Sequence, residues 1–197
     1  MNTETLMRLL AFVLVLGAFS ISGYFRGKAD RSDKPMDFGA ENKWHLRLRN
    51  AGALIFYLSM LAYLVYPPLI AWANLDWPVA LRWVGLALMA LLLPLLYWMF
   101  ASLGGNITPT VKTRRRHQLV QNGPYRYIRH PLYTFGSLFF LGFCLLAGNW
   151  LMMIGAVTGL TGLSFRTPLE EGMLVKKFGK EYQDYMARTG RYLPKLG

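Results

Sequence analysis

The sequence predicts an all-α polytopic membrane protein with five transmembrane helices, the last two forming a tight helical hairpin, plus a cytoplasmic C-terminal helix. Three observations predict it. Hydrophobic residues make up 54% of the 197 positions and charged residues only 16%, with a positive mean hydropathy, a balance that a soluble domain does not need. The apolar residues gather in blocks long enough to cross a hydrocarbon core of about 30 Å. The formal net charge of +12 lies in bands between those blocks, as expected of loops at an anionic membrane face, which argues against nucleic acid as a partner. Residues 1–197 therefore read as a single integral membrane domain.

The first block runs from about Leu6 to Tyr24. Glu4 and Arg8 at its start and a basic segment after it suit a retained helix better than a cleaved leader. Residues 25–50 read as a polar loop, with Trp44 and His45 at the interface. The second block covers about Ala51 to Trp72, and Tyr66-Pro67-Pro68 kinks or ends its helix. A turn over Asn74–Pro78 leads to a third block, Val79–Leu103, with Arg82 at its entrance and a bend at Pro94; Gly104-Gly105-Asn106 stops it.

The last apolar region, Pro131–Phe165, is too long for one span. Ala147-Gly148-Asn149 divides it into helices over about 131–146 and 150–165. The lone Cys144 allows no disulfide within the chain. All but two of the 22 Lys and Arg residues fall in the loop after the first span, the loop after the third, and the tail. The positive-inside rule then puts the N-terminus outside, and the C-terminus and segment 107–130 in the cytoplasm.

Between the third and fourth blocks, residues 117–133 hold two of the three histidines, three tyrosines, and Gly-Pro and His-Pro turn signals. Such a segment exceeds what a linker needs, although each residue also has a bland reading as a loop histidine or a belt aromatic. Arg114-Arg115-Arg116 reads as an anchor for anionic lipid. The tail begins Arg166-Thr-Pro-Leu-Glu170-Glu171, and adjacent carboxylates near a membrane mark a functional site unless solvated or paired. Two local readings stand. Thr167-Pro168-Leu169-Glu170 has the form of a capping box with proline at the first helical position. If the helix instead continues through Pro168, Arg166 and Glu170 share a face as an i,i+4 pair. Met173–Gly179 reads as an interfacial amphipathic helix ended by Gly179. Metal-ligand spacing, a phosphate loop and a Gly-x-Ser-x-Gly elbow are all absent from the sequence.

The pattern His117-x-Leu119-Val120-x-x-Gly123-x-Tyr125-x-x-x-Arg129-His130-Pro131-x-Tyr133, followed by a short hairpin, Arg166-x-x-x-Glu170-Glu171, Phe178-Gly179-x-Glu181-Tyr182-x-x-Tyr185 and Arg191-Tyr-Leu-Pro194, resembles the isoprenylcysteine carboxyl methyltransferase family over residues 104–197. The resemblance implies an integral membrane methyltransferase that uses S-adenosylmethionine, with three N-terminal spans in 1–103 and the cofactor-binding catalytic half in 104–197. By position, His117, Gln118, Leu119 and Val120 would line the cofactor, Tyr125 would close over it, and His130, Pro131, Leu132 and Tyr133 would form another wall. Glu170 would bind the cofactor's amino group, Glu171 would support it, and Arg166 would face the acceptor; Arg166 and Glu170 are the implied catalytic pair. No metal is implied. Thr110 falls at a further contact position of the family.

That chemistry suits the residue types, because a carboxylate can grip an ammonium, and a carboxylate acceptor, already ionised, needs alignment and dryness rather than a base. A lipophilic acceptor would enter from the bilayer, among membrane lipids. Phospholipid N-methyltransferases, NADPH-dependent sterol-type membrane reductases and non-enzymatic subunits of the same fold are the competing expectations. No residue pattern specifies the acceptor atom or the oligomeric state.

Overall fold

A helix that is apolar on every side needs two apolar surroundings, protein on one face and lipid on the other. In helix α1 (Thr3–Ser32), Met7, Ala11 and Val15 recur every four residues and are buried, while Leu9, Val13 and Leu16 face outward. Helix α2 (Lys43–Val65) buries Phe56, Met60 and Tyr63 and exposes Leu54, Leu58 and Leu61. Helix α3 (Val79–Leu103) buries Met89, Leu92, Leu96 and Met99 and exposes Val84 and Leu91. These three helices are long and apolar enough to cross a membrane. The structure, a computed structural model, describes residues 2–32, 35–37, 42–104, 112–114 and 119–195.

Three further helices complete the chain: α4 (Pro131–Ala147), α5 (Trp150–Phe178) and α6 (Lys180–Arg188). The 17 residues of α4 rise about 26 Å, slightly less than a hydrocarbon core. Side-chain caps define several helix starts: Asn2 Oδ1 accepts from Thr5 N at 2.8 Å, Asn42 Oδ1 from Trp44 N at 2.9 Å, and Asn149 Oδ1 from Met152 N at 3.2 Å. Gly148, in the left-handed region at φ 56°, closes α4.

Several boundaries differ from the sequence reading. The 25–50 segment is largely helical at both ends, because α1 runs on to Ser32 and α2 begins at Lys43; backbone hydrogen bonding does not stop where apolar side chains stop. Within that extension Arg26 Nε donates to Ser22 Oγ at 3.0 Å. Helix α2 ends at Val65, and Pro67–Ala73 is a 3-10 helix, as the missing amide donors of paired prolines favour. Met173–Gly179 is no separate interfacial helix but the last turns of α5. Two short strands, β1 (Pro35–Asp37) and β2 (Lys112–Arg114), pair antiparallel with Pro35 opposite Arg114, a small departure from the all-α expectation in which two loops satisfy each other's backbone.

Glycines set the packing. Helix α5 lies against α2 where Gly155, Gly159 and Gly162 face Gly52, Phe56 and Arg49; a Cβ on Gly52 would stand 2.2 Å from Gly159 N, and one on Gly155 2.6 Å from Phe56 N. Helix α4 lies against α3 at Gly85 and Gly142 in the same manner, with a Cβ on Gly85 only 2.4 Å from Gly142 O. Small residues let helix backbones approach where lipid offers no competing hydrophobic drive. The turn joining α4 to α5 is tight, yet each arm packs mainly on a different earlier helix, α4 on α3 and α5 on α2.

One end of this assembly is tied by polar side chains. Arg82 donates to Leu146 O at 2.8 Å, to Tyr63 Oη at 3.1 Å and to both oxygens of Glu4, joining α1, α2, α3 and α4. The fully buried Asn149 donates to Ile70 O and Asn74 Oδ1, each at 3.0 Å. The candidate site lies at the other end.

Candidate functional site

The segment before α4 folds because two residues fit its turn. Gly123, at φ 58°, opens a 3-10 turn over Gly123–Arg126, with Pro124 and Tyr125 buried beneath it. The chain then runs alongside the tail: Arg129 N donates to Gly190 O at 2.9 Å, His130 N to Arg191 O at 3.1 Å, and Gly190 N to Tyr127 O at 3.4 Å. Side chains fasten the same contact. Tyr185 Oη donates to Tyr125 O at 2.6 Å, Thr134 Oγ1 to Tyr192 O at 2.7 Å, and the Thr167 and Tyr192 hydroxyls meet at 2.6 Å.

Pro168 lies inside α5 and the helix passes through it, so the capping box is not formed. Glu170 is thereby one turn from Arg166 on the same face, and Arg166 Nε donates to Glu170 Oε1 at 2.7 Å. Tyr133, from the first turn of α4, donates to Glu170 Oε2 at 2.7 Å. His130 Nδ1 stands 3.8 Å from the same oxygen, and its ring stacks on Tyr133 with centroids 5.4 Å apart. Glu170 keeps 19% of its side-chain surface accessible.

Glu171 is enclosed, with 4% of its side chain accessible. Its Oε1 meets Arg129 Nε at 2.9 Å and His130 Nε2 at 3.2 Å; its Oε2 accepts from Arg191 Nε at 3.1 Å and Nη2 at 2.6 Å. Burial by itself would raise the carboxyl's pKa, but the bonds from His130, Arg191 and Arg129 overcome it and hold the group at about 2. Arg129 also donates to Met186 O at 3.2 Å and to Thr189 O. Burial chiefly, with the neighbouring Tyr185 and Glu170, pushes the Tyr125 phenol well above its usual value, so it is a neutral hydroxyl.

Of the residues singled out in the sequence, His130, Tyr133, Arg166, Glu170 and Glu171 meet in one cluster, with Tyr125 beside it. Pro131 is fully buried as the first residue of α4, and Leu132 packs partly buried against the core. Val120 packs there too and Leu119 is half-buried. His117, Gln118 and Thr110 lie outside the described residues. The sequence predicts no site role for Arg129, Arg191, Tyr192 or Thr167, although the first three stand inside the quoted motifs and Thr167 reads as a helix cap; for the arginines, a charged side chain placed between apolar blocks is the available signal.

The family model for phospholipid methyltransferase matches residues 80–181, just over half of the chain. The chain belongs to the phospholipid methyltransferase family. Within its reach are proteins bearing the name that the loop and tail motifs suggested. Protein-S-isoprenylcysteine O-methyltransferase of Dictyostelium discoideum is 34% identical over 96 residues, covering 46% of this chain and 40% of that one. Protein-S-isoprenylcysteine O-methyltransferase B of Arabidopsis thaliana is 32% identical over 94 residues, covering 46% and 48%. The match thus spans less than half the length of these curated relatives. The solved structure of the eukaryotic intramembrane Ras methyltransferase, isoprenylcysteine carboxyl methyltransferase, aligns at TM-score 0.50 and 23% identity over 80% of this chain and 55% of that one, a likeness of fold. The family match covers nearly all of α3 together with α4, which carries Tyr133, and α5, which carries Arg166 and both glutamates.

Proposed function

We propose that this chain transfers a methyl group from S-adenosylmethionine to a lipophilic or lipid-anchored acceptor at the cytoplasmic membrane face, most specifically to the carboxylate of an isoprenylcysteine-like substrate. The single observation that carries the reading is Glu170, an accessible carboxylate held by Tyr133 and Arg166 inside a family whose named relatives methylate isoprenylcysteine. When bound, S-adenosylmethionine supplies an activated methyl on a sulfonium and carries an ammonium and a carboxylate on its amino-acid end.

The residues present fit such a group. Glu170 offers an anion for the ammonium, and Tyr133 and Arg166 fix that anion in place. Arg166 uses Nε for Glu170, leaving the terminal nitrogens of its guanidinium to orient an acceptor carboxylate in bidentate fashion. Tyr125, Leu119, Val120, Pro131 and Leu132 supply apolar walls that exclude water. A carboxylate nucleophile is already ionised, so alignment and desolvation are what the protein provides. In this reading α4 and the first half of α5 are spans four and five, residues 104–197 form the catalytic half, the N-terminus is outside and the active site is cytoplasmic.

Purified Glu170→Ala and Arg166→Ala are expected to lose transfer to a prenylcysteine acceptor while remaining folded. Calorimetry with S-adenosylhomocysteine is expected to show binding retained better in the Arg166 variant. Wild-type turnover in either variant removes the site. The family carries the description phospholipid methyltransferase, so N-methylation of a phospholipid amine is the alternative that the experiment must separate. Labelled cofactor with lipid extract and prenylcysteine side by side separates the two by which fraction gains the label.

A further inference from the structure

Two adjacent glutamates invite the assumption that both grip the ligand. Their surroundings differ too much for that. Glu171 already accepts four contacts from Arg129, His130 and Arg191, which occupies the lone-pair capacity of a carboxylate, and it is almost wholly enclosed. An ammonium reaching it would have to displace a guanidinium. Glu171 instead determines what His130 can do.

An ionised carboxylate has only acceptors, so the 3.2 Å contact with Glu171 Oε1 requires a hydrogen on His130 Nε2. In the neutral ring that leaves Nδ1 as a lone-pair acceptor. Nδ1 lies 3.8 Å from Glu170 Oε2, which also accepts from Tyr133 Oη, so two acceptors converge. Stacking on Tyr133, with 6° between the planes, holds the plane of the ring, and the Nε2 contact with Glu171 sets its rotation within that plane.

We infer that Glu171, held by Arg129 and Arg191, is a positioning residue that fixes His130 as its Nε2–H tautomer, so that His130 Nδ1 and Glu170 Oε2 form a paired acceptor for a primary ammonium group. The inference rests on the reading of this cluster as a cofactor site, and it assigns His130 to the ammonium rather than to a general wall.

The test uses the full chain in detergent or nanodiscs, with S-adenosylhomocysteine and its analogue lacking the α-amino group as probes. Wild-type protein is expected to prefer the amino form by about tenfold or more, the scale of one hydrogen bond to a charged group. Glu171→Gln and Arg191→Met are expected to shrink that preference several-fold while leaving affinity for the deaminated analogue in place. His130→Asn, which keeps an acceptor near the Nδ1 position, retains more of the preference than His130→Gln. Equal loss of both ligands in the Glu171 and Arg191 variants would overturn the inference and leave the methyltransferase reading intact, whereas failure of the wild type to bind either ligand removes both. Independently of any variant's folding, nitrogen-15 spectra of labelled histidine in the wild type are expected to show a protonated Nε2 at His130, and the opposite tautomer or a doubly protonated ring would overturn it.

Discussion

Glu170 and Glu171 are neighbours in sequence, but consecutive helix positions point about 100° apart, and that rotation separates an accessible carboxylate from an enclosed one. Tyr133→Phe removes one of the two side-chain bonds to Glu170 without changing volume. Turnover is expected to fall by about tenfold, with S-adenosylhomocysteine affinity weakened in parallel, since a lost hydrogen bond to a charged group costs about 1.5–3 kcal/mol. Glu171 carries a pH signature. Its carboxyl, held at about 2 against an ordinary 4.5, stabilises the fold fully above pH 4.5, and that stabilisation disappears as pH falls toward 2. Thermal unfolding of wild type against Glu171→Gln is expected to show an advantage at neutral pH that shrinks below 4.5; a constant difference across that window would contradict the assignment.

At the scale of helices, the α2–α5 contact depends on side chains that are not there. Gly155 and Gly162 press against the backbone of Phe56 and Arg49 at distances a Cβ cannot share. Gly155→Leu is expected to force the helices apart and to destabilise by at least the 1–3 kcal/mol typical of overpacking, which a lower midpoint in a thermal scan would register. The consequence reaches the site, because α5 carries Arg166, Glu170 and Glu171, and a shift of its first half displaces all three together. Gly172, also in α5 but with open space at its Cβ position, is the matching control: Gly172→Ala is expected to leave that midpoint unchanged or slightly raised.

Across the whole molecule, helix ends sort into two sets. Asn2–Glu4, the 3-10 helix over Pro67–Ala73, Arg82 and the α4–α5 turn gather at one end; the 123–130 turn, the glutamates and the tail gather at the other. Single cysteines introduced at Asp76 and at Lys195, with Cys144 replaced by Ala, are expected to react with an impermeant maleimide from opposite sides of sealed vesicles, Lys195 from the cytoplasmic side. Labelling of both from the same side would break the proposed topology and with it the cytoplasmic site. Composition and block length alone located the apolar helices and the Val79–Leu103 boundaries, because lipid exposure calls for apolar side chains on every face of a span, but they did not place the ends of α1 and α2, where the helix runs on past the apolar block. Motif order alone pointed to His130, Tyr133, Arg166, Glu170 and Glu171. Only the tertiary structure decided that the helix continues through Pro168 and that Glu171 is enclosed by Arg129 and Arg191, because those outcomes depend on residues 20 to 42 positions apart being brought together by the tail's return over the loop, and no local pattern encodes a contact made at that distance.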